Sequence, residues 1–449
     1  MALVTSRKKV FATIWFGQLV SALGTGLTNF ALGVWVFERT GSASQFTLIA
    51  VFGALPNIIT LPFAGALIDR WDRRLIMLFS SCGSALMTTA GVVLLSMGRL
   101  EVWHVYAGVM LRTLFSSFFL PSFSATTTLL ISRKHLGRAS GMVQANTATV
   151  QIFAPLLGGF LLAAINLPGV LFIDFTSYLV VIVSLLLVEI PRPQKTSDTA
   201  LDGNAGAPLN AKSNLFRNHL TYGFVFIKKR PGLLALLLYF AACNTVIAST
   251  TILFTPMLLS FTSAKVVGVV LSFLGAGFLT GSIVMSVWGG PQKRVSGILG
   301  FGTLFGLCSV LIGLRPSAVL IAIGAFGMYF FLPIVNGCTE ALWQTKTPPD
   351  LQGRVFAIRR LIAASTVPVS YLIGGQLADK VFEPLLRSSA LPGVVEIIGR
   401  GPGRGIGLMF IVGGILIVLV QVIAHLYSPL SQIEEDLPDV IPEAAPSLT

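Results

Sequence analysis

Twelve runs of about 20 apolar residues, separated by short polar segments, constrain the fold of this chain more than any other feature. A hydrocarbon core roughly 30 Å thick is crossed by ~20 helical residues, and in that medium the backbone must satisfy its own hydrogen bonds. The runs lie at 10–37, 45–68, 75–97, 102–131, 139–165, 168–189, 232–259, 266–289, 295–314, 317–345, 354–382 and 404–427. They predict an all-α polytopic membrane protein with twelve transmembrane helices. The first run follows Arg7-Lys8-Lys9, as a signal peptide would. Its apolar stretch continues to Val36, past the ~7–15 residues of a signal core, so it reads as an uncleaved helix. Composition agrees: 54% hydrophobic residues, 11% charged and a mean hydropathy of +0.83 exclude a soluble globule of 449 residues.

A net charge of +13 would suggest a nucleic-acid partner in a soluble chain. Here the basic residues gather in short loops, so no nucleic acid is expected. Of the 31 Lys and Arg, 22 fall in or beside segments on the side of the N-terminus, 8 on the other side, and Arg112 lies within a span. This bias predicts that both termini are cytoplasmic. Cys82, Cys243, Cys308 and Cys338 all lie within apolar runs and build no loop disulfide framework. The four histidines are scattered and no Cys-x-x-Cys or Walker P-loop occurs, so neither metal nor cofactor is expected. No catalytic residue is assigned.

The chain divides into a six-helix bundle over 1–190, a linker over 191–217 rich in Pro, Ser, Asn, Ala and Gly, a second unit over 218–427, and an acidic tail over 428–449. The second unit opens with a short surface helix around Lys228-Lys229-Arg230 and continues as another six-helix bundle. The tail, with Glu434-Glu435-Asp436, reads as a solvated cytoplasmic end or a partner-binding segment. Three features recur 216 residues apart: Gly65 with Gly281, Gly137-Arg138 with Gly353-Arg354, and Gly158-Gly159 with Gly374-Gly375. Together they indicate two pseudo-repeated bundles rocking about a midplane cavity.

Between the second and third runs stands Gly65-Ala66-Leu67-Ile68-Asp69-Arg70-Trp71-Asp72-Arg73-Arg74. Gly65 would let helices approach, and Asp69 would accept hydrogen bonds from a helix N-terminus of the other bundle, latching the cytoplasmic side. An ordinary positive-inside loop explains Arg70, Arg73 and Arg74 but not the Gly-to-Asp spacing. Arg112 is about ten residues into its helix, near mid-membrane, where a charge faces a cavity or a partner. It is read either as a cavity residue or as a structural arginine bonded to backbone carbonyls. Glu340, well inside its helix, is the first-ranked carboxylate to complement it and shape a charged cavity, with Asp174 second; a desolvated carboxylate can bind and release a proton as access alternates. Asp174, near a helix N-terminus, is equally read as stabilised there without a transport role.

Pro155, Gly158 and Gly159 kink the fifth helix or pack it closely. Asn29, Phe30, Gln144, Gln151, Asn244 and Asn336 are cavity candidates, alongside Asn146, Trp343 and Gln344, though each polar one is individually more often an interhelical hydrogen bond. The Gly399–Gly405 stretch lacks a Lys-Ser/Thr ending and reads as a flexible outer loop.

The Gly65–Arg74 loop resembles the cytoplasmic loop motif of the major facilitator superfamily. Arg112 resembles the helix-4 arginine of its drug/proton antiporters, with Ser116 where that motif has glycine, and Ala154-Pro155-Leu156-Leu157-Gly158-Gly159 resembles part of their helix-5 motif. Thr40-Gly41-Ser42-Ala43-Ser44, Arg230-Pro231-Gly232-Leu233-Leu234, Gln352-Gly353-Arg354-Val355-Phe356 and Glu435-Asp436-Leu437-Pro438-Asp439 are similar to the macrolide-efflux and enterobactin-exporter branch. The resemblance implies a monomeric secondary active exporter in a bacterial inner membrane, among lipids. It would exchange protons for amphipathic drugs or siderophores by alternating access. A lipid flippase or a solute importer on the same fold is the alternative reading. A membrane-embedded enzyme would need a nucleophile and base or metal at one depth, which no spacing supplies; a non-transporting receptor or scaffold is a third class.

Overall fold

The computed structural model describes residues 6–132, 136–188, 224–387 and 392–437; the linker over 191–217 and the end of the tail lie outside the described residues. The first half of the chain holds α1 (Arg7–Thr40), α2 (Ala43–Arg70), α3 (Arg73–Ser96), α4 (Val102–Ser116), α5 (Phe119–Leu130) and α6 (Leu136–Leu187). The second half holds α7 (Pro231–Thr251), α8 (Phe254–Leu259), α9 (Ala264–Trp288), α10 (Arg294–Leu314), α11 (Ala318–Lys346) and α12 (Pro349–Leu377). A π-turn (Ala378–Phe382) leads from α12 to α13 (Glu383–Arg387) and α14 (Pro392–Ile398). α15 (Arg404–Leu426), α16 (Ser428–Ser431) and α17 (Ile433–Asp436) complete the order.

Among the described residues, ten helices are long and apolar enough to cross a membrane. Two local features account for the difference from twelve. The fourth expected span breaks at Ser117–Phe118 into α4 and α5, each too short to cross alone. α6 contains two spans: 52 straight residues would extend about 78 Å. Instead Asn166 takes a left-handed φ of 55°, and Pro168 follows without an amide hydrogen to give. The chain reverses there. The Trp15 indole donates to Met142 O at 2.8 Å on the first arm, while a Cβ on Gly17 would lie 2.8 Å from Ser184 Oγ on the second. α1 is therefore held between two antiparallel arms of one helical hairpin.

Both halves share one orientation. The α1–α2 turn, made by Gly41 at φ 62°, meets Asp379 just beyond α12, so the turn end of the first half aligns with the same end of the second. Arg7 and the tail lie at the opposite end. We call these the far end and the terminal end. Large side chains such as Leu75, Phe79, Val183, Val287, Ile423 and Leu426 are exposed around the outside, as an acyl-chain environment permits.

Among the described residues the first half has two large apolar clusters, one at the terminal end around Phe11, Ile14, Phe123 and Leu185, the other at the far end around Leu27, Leu32, Val105 and Val170. A polar belt separates them.

The expectation of a solvated tail holds for Glu435 and Asp436, which are exposed, and is corrected for the segment's anchoring. Glu434 caps the α10 N-terminus, accepting from Arg294 N at 2.8 Å and Val295 N at 3.2 Å. Buried Lys346 donates to Glu434 O at 3.0 Å and to Leu437 O, fastening the tail to the end of α11. Within the Gly399–Gly405 stretch Arg400, Gly401 and Pro402 are exposed, whereas Arg404 is buried, donates to Gly313 O, and starts α15. An arginine at an uncapped carbonyl replaces water there.

Candidate functional site

The polar belt faces a cavity of about 700 Å³ between the halves. α1 contributes Ser21, Thr25 and Asn29, α3 contributes Ser80, Ser81 and Ser84, and α4 contributes Arg112 and Ser116. The second half adds Ile252, Val367 and Tyr371. Phe46, Ile49, Val109, Phe119 and Leu120 supply apolar wall, so the lining suits a solute with both characters.

Arg112 lines this cavity, and its Nη1 lies 3.5 Å from Asp174 Oδ2. Asp174 is fully buried behind it. Thr88 donates to Asp174 Oδ2 at 3.2 Å and Thr25 to Oδ1 at 3.4 Å, while Thr25 also shares a 2.8 Å hydrogen bond with the Tyr178 hydroxyl. Arg112 Nη2 donates to Asn29 Oδ1. Arg112 stands ten residues into α4, Asp174 eight past Asn166 and Thr88 eight before the end of α3, so a rise of ~1.5 Å per residue sets all three about 12–15 Å from the far end. Helices from different parts of the first half thus bring their few polar groups to one depth. Removing either charge would leave the other buried and unpaired, at a cost of roughly 3–5 kcal/mol.

Of the two carboxylates expected to complement Arg112, the structure sets Asp174 beside it. Glu340 pairs instead with Arg359 at 3.1 Å, in the second half, and its side chain is half exposed. Arg359 also lies over the Trp343 ring at 4.8 Å, and Trp343 is buried. Among the proposed cavity residues, Asn29 lines the main cavity, whereas Gln144, Gln151, Asn244 and Asn336 do not. Phe30 packs beneath Gly158. Asn146 donates to Trp15 O at 3.4 Å, and Gln344 O accepts from Gln352 at 3.1 Å.

The side chains of Gly65, Asp69 and Arg70 lie outside the described residues. Arg73 donates to Ala125 O at 2.6 Å, and Arg74 donates to Leu185 O and Leu186 O at 2.8 and 2.9 Å. Arg74 thus satisfies carbonyls at the C-terminus of α6, while Arg73 reaches a carbonyl in the middle of α5, both within their own half. Gly353 has no neighbour crowding it, and Arg354 is half-buried at the start of α12.

The glycine pairs 216 residues apart occupy corresponding places. Gly158 abuts Phe30 of α1 and Gly374 abuts Ser249 of α7, each within its own half. Gly159 and Gly375 face the other half. A Cβ on Gly159 would lie 2.6 Å from Ala264 O at the start of α9, and one on Gly375 would lie 2.8 Å from Ser44 Cα at the start of α2. Pro155 O is covered by Gly268 of α9. Gly281 lies against the Phe330 backbone. The halves therefore meet at two related junctions, α6 on α9 and α12 on α2.

Sequence reasoning missed Asp379. Its carboxylate accepts from Ser42 Oγ at 2.6 Å, Ala43 N at 3.0 Å and Ser44 N at 2.8 Å, all in the other half. The available signal was an acid closing an apolar run, together with a Ser-Ala-Ser helix start. Thr25 and Thr88 were missed because a threonine hydroxyl within an apolar helix usually bonds its own backbone, and Tyr178 because a tyrosine in an apolar run reads as packing.

This architecture is matched by known proteins. The model of the Major Facilitator Superfamily matches residues 14–370. Macrolide efflux protein A of Streptococcus pyogenes is 24% identical, covering 95% of this chain and 98% of its own. Multidrug efflux pump Tap of Mycolicibacterium fortuitum is 25% identical, covering 82% and 88%. The inward-facing, unoccupied crystal structure of a bacterial homologue of the human lysosomal transporter Spinster superposes with a TM-score of 0.68 at 15% identity, covering 97% of this chain and 99% of the other. The crystal structure of a mutant of the nucleoside transporter NupG gives 0.67 at 10% identity, covering 92% and 99%. With helices repeated about a shared cavity and a family match spanning most of its length, the chain belongs to the Major Facilitator Superfamily and is a membrane transporter, not an enzyme.

Proposed function

We propose that this transporter exports amphipathic drugs or siderophore-like compounds in exchange for protons. It would work as a monomer in a bacterial inner membrane, with both termini cytoplasmic. The observation that carries this reading is the buried Arg112–Asp174 pair at the cavity wall. A buried carboxylate can be neutralised by a proton or compensated by a cation. Taking a proton removes its attraction for Arg112 and frees the guanidinium to hydrogen-bond into the cavity, where substrate lies. Proton and substrate occupancy then influence each other through one side chain. The names of the relatives, an efflux protein and a multidrug efflux pump, support the outward direction.

In this reading residues 1–190 and 218–427 rock as two bundles, with the Gly65–Arg74 loop, Gly353 and Arg354 governing closure at the cytoplasmic side. Asp174 is the preferred proton carrier over Glu340, because Glu340 is half exposed and so less dependent on its partner.

The test uses everted vesicles and a panel of cationic dyes, macrolides and siderophores, with and without a protonophore. Asp174→Asn should lose uphill accumulation while keeping downhill flux, and Glu340→Gln should keep both. Loss of uphill transport in Glu340→Gln alone would move the proton to that residue. No substrate responding to protonophore in the unaltered chain would remove proton coupling.

A further inference from the structure

At the far-end junction the first free amides of α2 are satisfied largely from outside its own half. Ser42 Oγ accepts from Gln45 N at 3.2 Å and donates its own hydrogen bond to Asp379 Oδ2. Ala43 N and Ser44 N donate directly to the two oxygens of Asp379. One carboxylate, carried by the second half, therefore completes the N-cap of a helix in the first half and adds its negative charge to the positive end of the helix dipole. Gly375, one turn before Asp379, lets α12 come close enough to Ser44 for this to happen. The packing around it is apolar and shared, since Ala43 belongs to the same buried cluster as Leu253, Phe254 and Ala378.

The related junction lacks this device. Gly159 brings α6 against the start of α9 as Gly375 brings α12 against α2, but one turn beyond Gly159 stands Ala163. Ser263 precedes α9 and makes no side-chain cap, and Lys265 lies over the Phe160 ring at 4.7 Å. Two junctions built alike differ by one carboxylate.

We propose that Asp379 is the latch of the far end: its carboxylate holds the two halves together while the cavity is closed on that side. Opening the far end parts α12 from α2, so these three hydrogen bonds must break and α2 must lose its cap. The residue positions the halves and does not touch substrate. This inference rests on the alternating-access reading but not on proton coupling or on the export direction.

The test reads conformation and requires no substrate. In a cysteine-free background, spin labels at Arg99→Cys and Arg315→Cys report the separation of the halves at the far end, where both side chains are exposed. Labels at Arg138→Cys and Lys293→Cys report the terminal end. In lipid nanodiscs the otherwise unaltered chain should show a short far-end distance. Asp379→Asn should add a longer far-end population with a reciprocal shortening at the terminal end, changing the closed-to-open ratio by about tenfold. Asp379→Glu should restore part of the short population. Asp379→Ala serves as a second variant in case the asparagine amide retains one bond. Unchanged far-end distances in both folded neutral variants would overturn the latch. Changed distances alongside lost proton coupling in the unaltered chain would sustain the latch and sink the coupling.

Discussion

The α6–α9 and α12–α2 junctions are the two places where the halves of this transporter are pressed together, and they hold by different physics. At α6–α9 the contact is steric: Gly159 against Ala264 O, Gly268 against Pro155 O, and Gly275 with room for a Cβ only 3.0 Å from Ile152 Cα. Among the described residues one side-chain hydrogen bond crosses there, Ser272 Oγ to Ile152 O at 3.1 Å. Dispersion contacts of this kind weaken gradually as surfaces slide. At α12–α2 the same glycine approach is joined by a carboxylate on a helix N-terminus, with bond lengths of 2.6–3.0 Å. Such a contact is made or broken. The comparison assigns the first junction to a pivot and the second to a switch.

The largest effect is expected from filling either close approach. Gly268→Leu and Gly375→Leu each place side-chain atoms where the neighbouring backbone lies, so overpacking should cost about 1–3 kcal/mol or more. Thermal unfolding in detergent should fall for both, and transport should be lost. If only Gly375→Leu were harmful, the pivot would not depend on close approach. A smaller effect is expected from Ala163→Asp, which supplies the absent carboxylate one turn beyond Gly159. It should stabilise far-end closure and slow turnover several-fold, measured as initial efflux rate against far-end distance; faster turnover would break the likeness between the junctions. Ser42→Ala should have the smallest effect, weakening the α2 cap by roughly 1 kcal/mol while Asp379 keeps its two backbone bonds. A loss as large as that of Asp379→Ala would move the latch to the serine.

Much of the fold was legible because membrane burial is written residue by residue. The boundary near 166–167 was visible as a gap between two apolar runs, and Asn166 with Pro168 turns the chain there. The break at Ser117–Phe118 was legible in principle but missed: Ser116-Ser117 interrupt the run, and Pro121 has no amide hydrogen to donate to Ser117 O and clashes with that carbonyl. The depth of Arg112 followed from counting along a helix. Its partner did not: sequence reasoning ranked Glu340 ahead of Asp174, and the structure reverses that order because which helix faces meet is not written in local pattern.

The tail illustrates the same limit. Acidic composition alone suggests a solvated segment, yet Glu434 finds the open N-terminus of α10, more than a hundred residues earlier in the chain. Asp379 is the counterpart at the other end of the molecule, reaching back 337 residues to Ser42.

By itself the sequence determined that this chain lives in a membrane and that one arginine lies at mid-depth within a span, and three matches at a 216-residue offset pointed to related halves. Those properties follow from hydropathy and spacing, which act through the nearest turns of helix. Only the tertiary structure decided that Arg112 faces Asp174, that Glu340 faces Arg359, and that Asp379 caps α2. Ion pairs and caps across helices depend on which faces meet at which depth, and in a chain of similar apolar helices that is settled by backbone approach and packing.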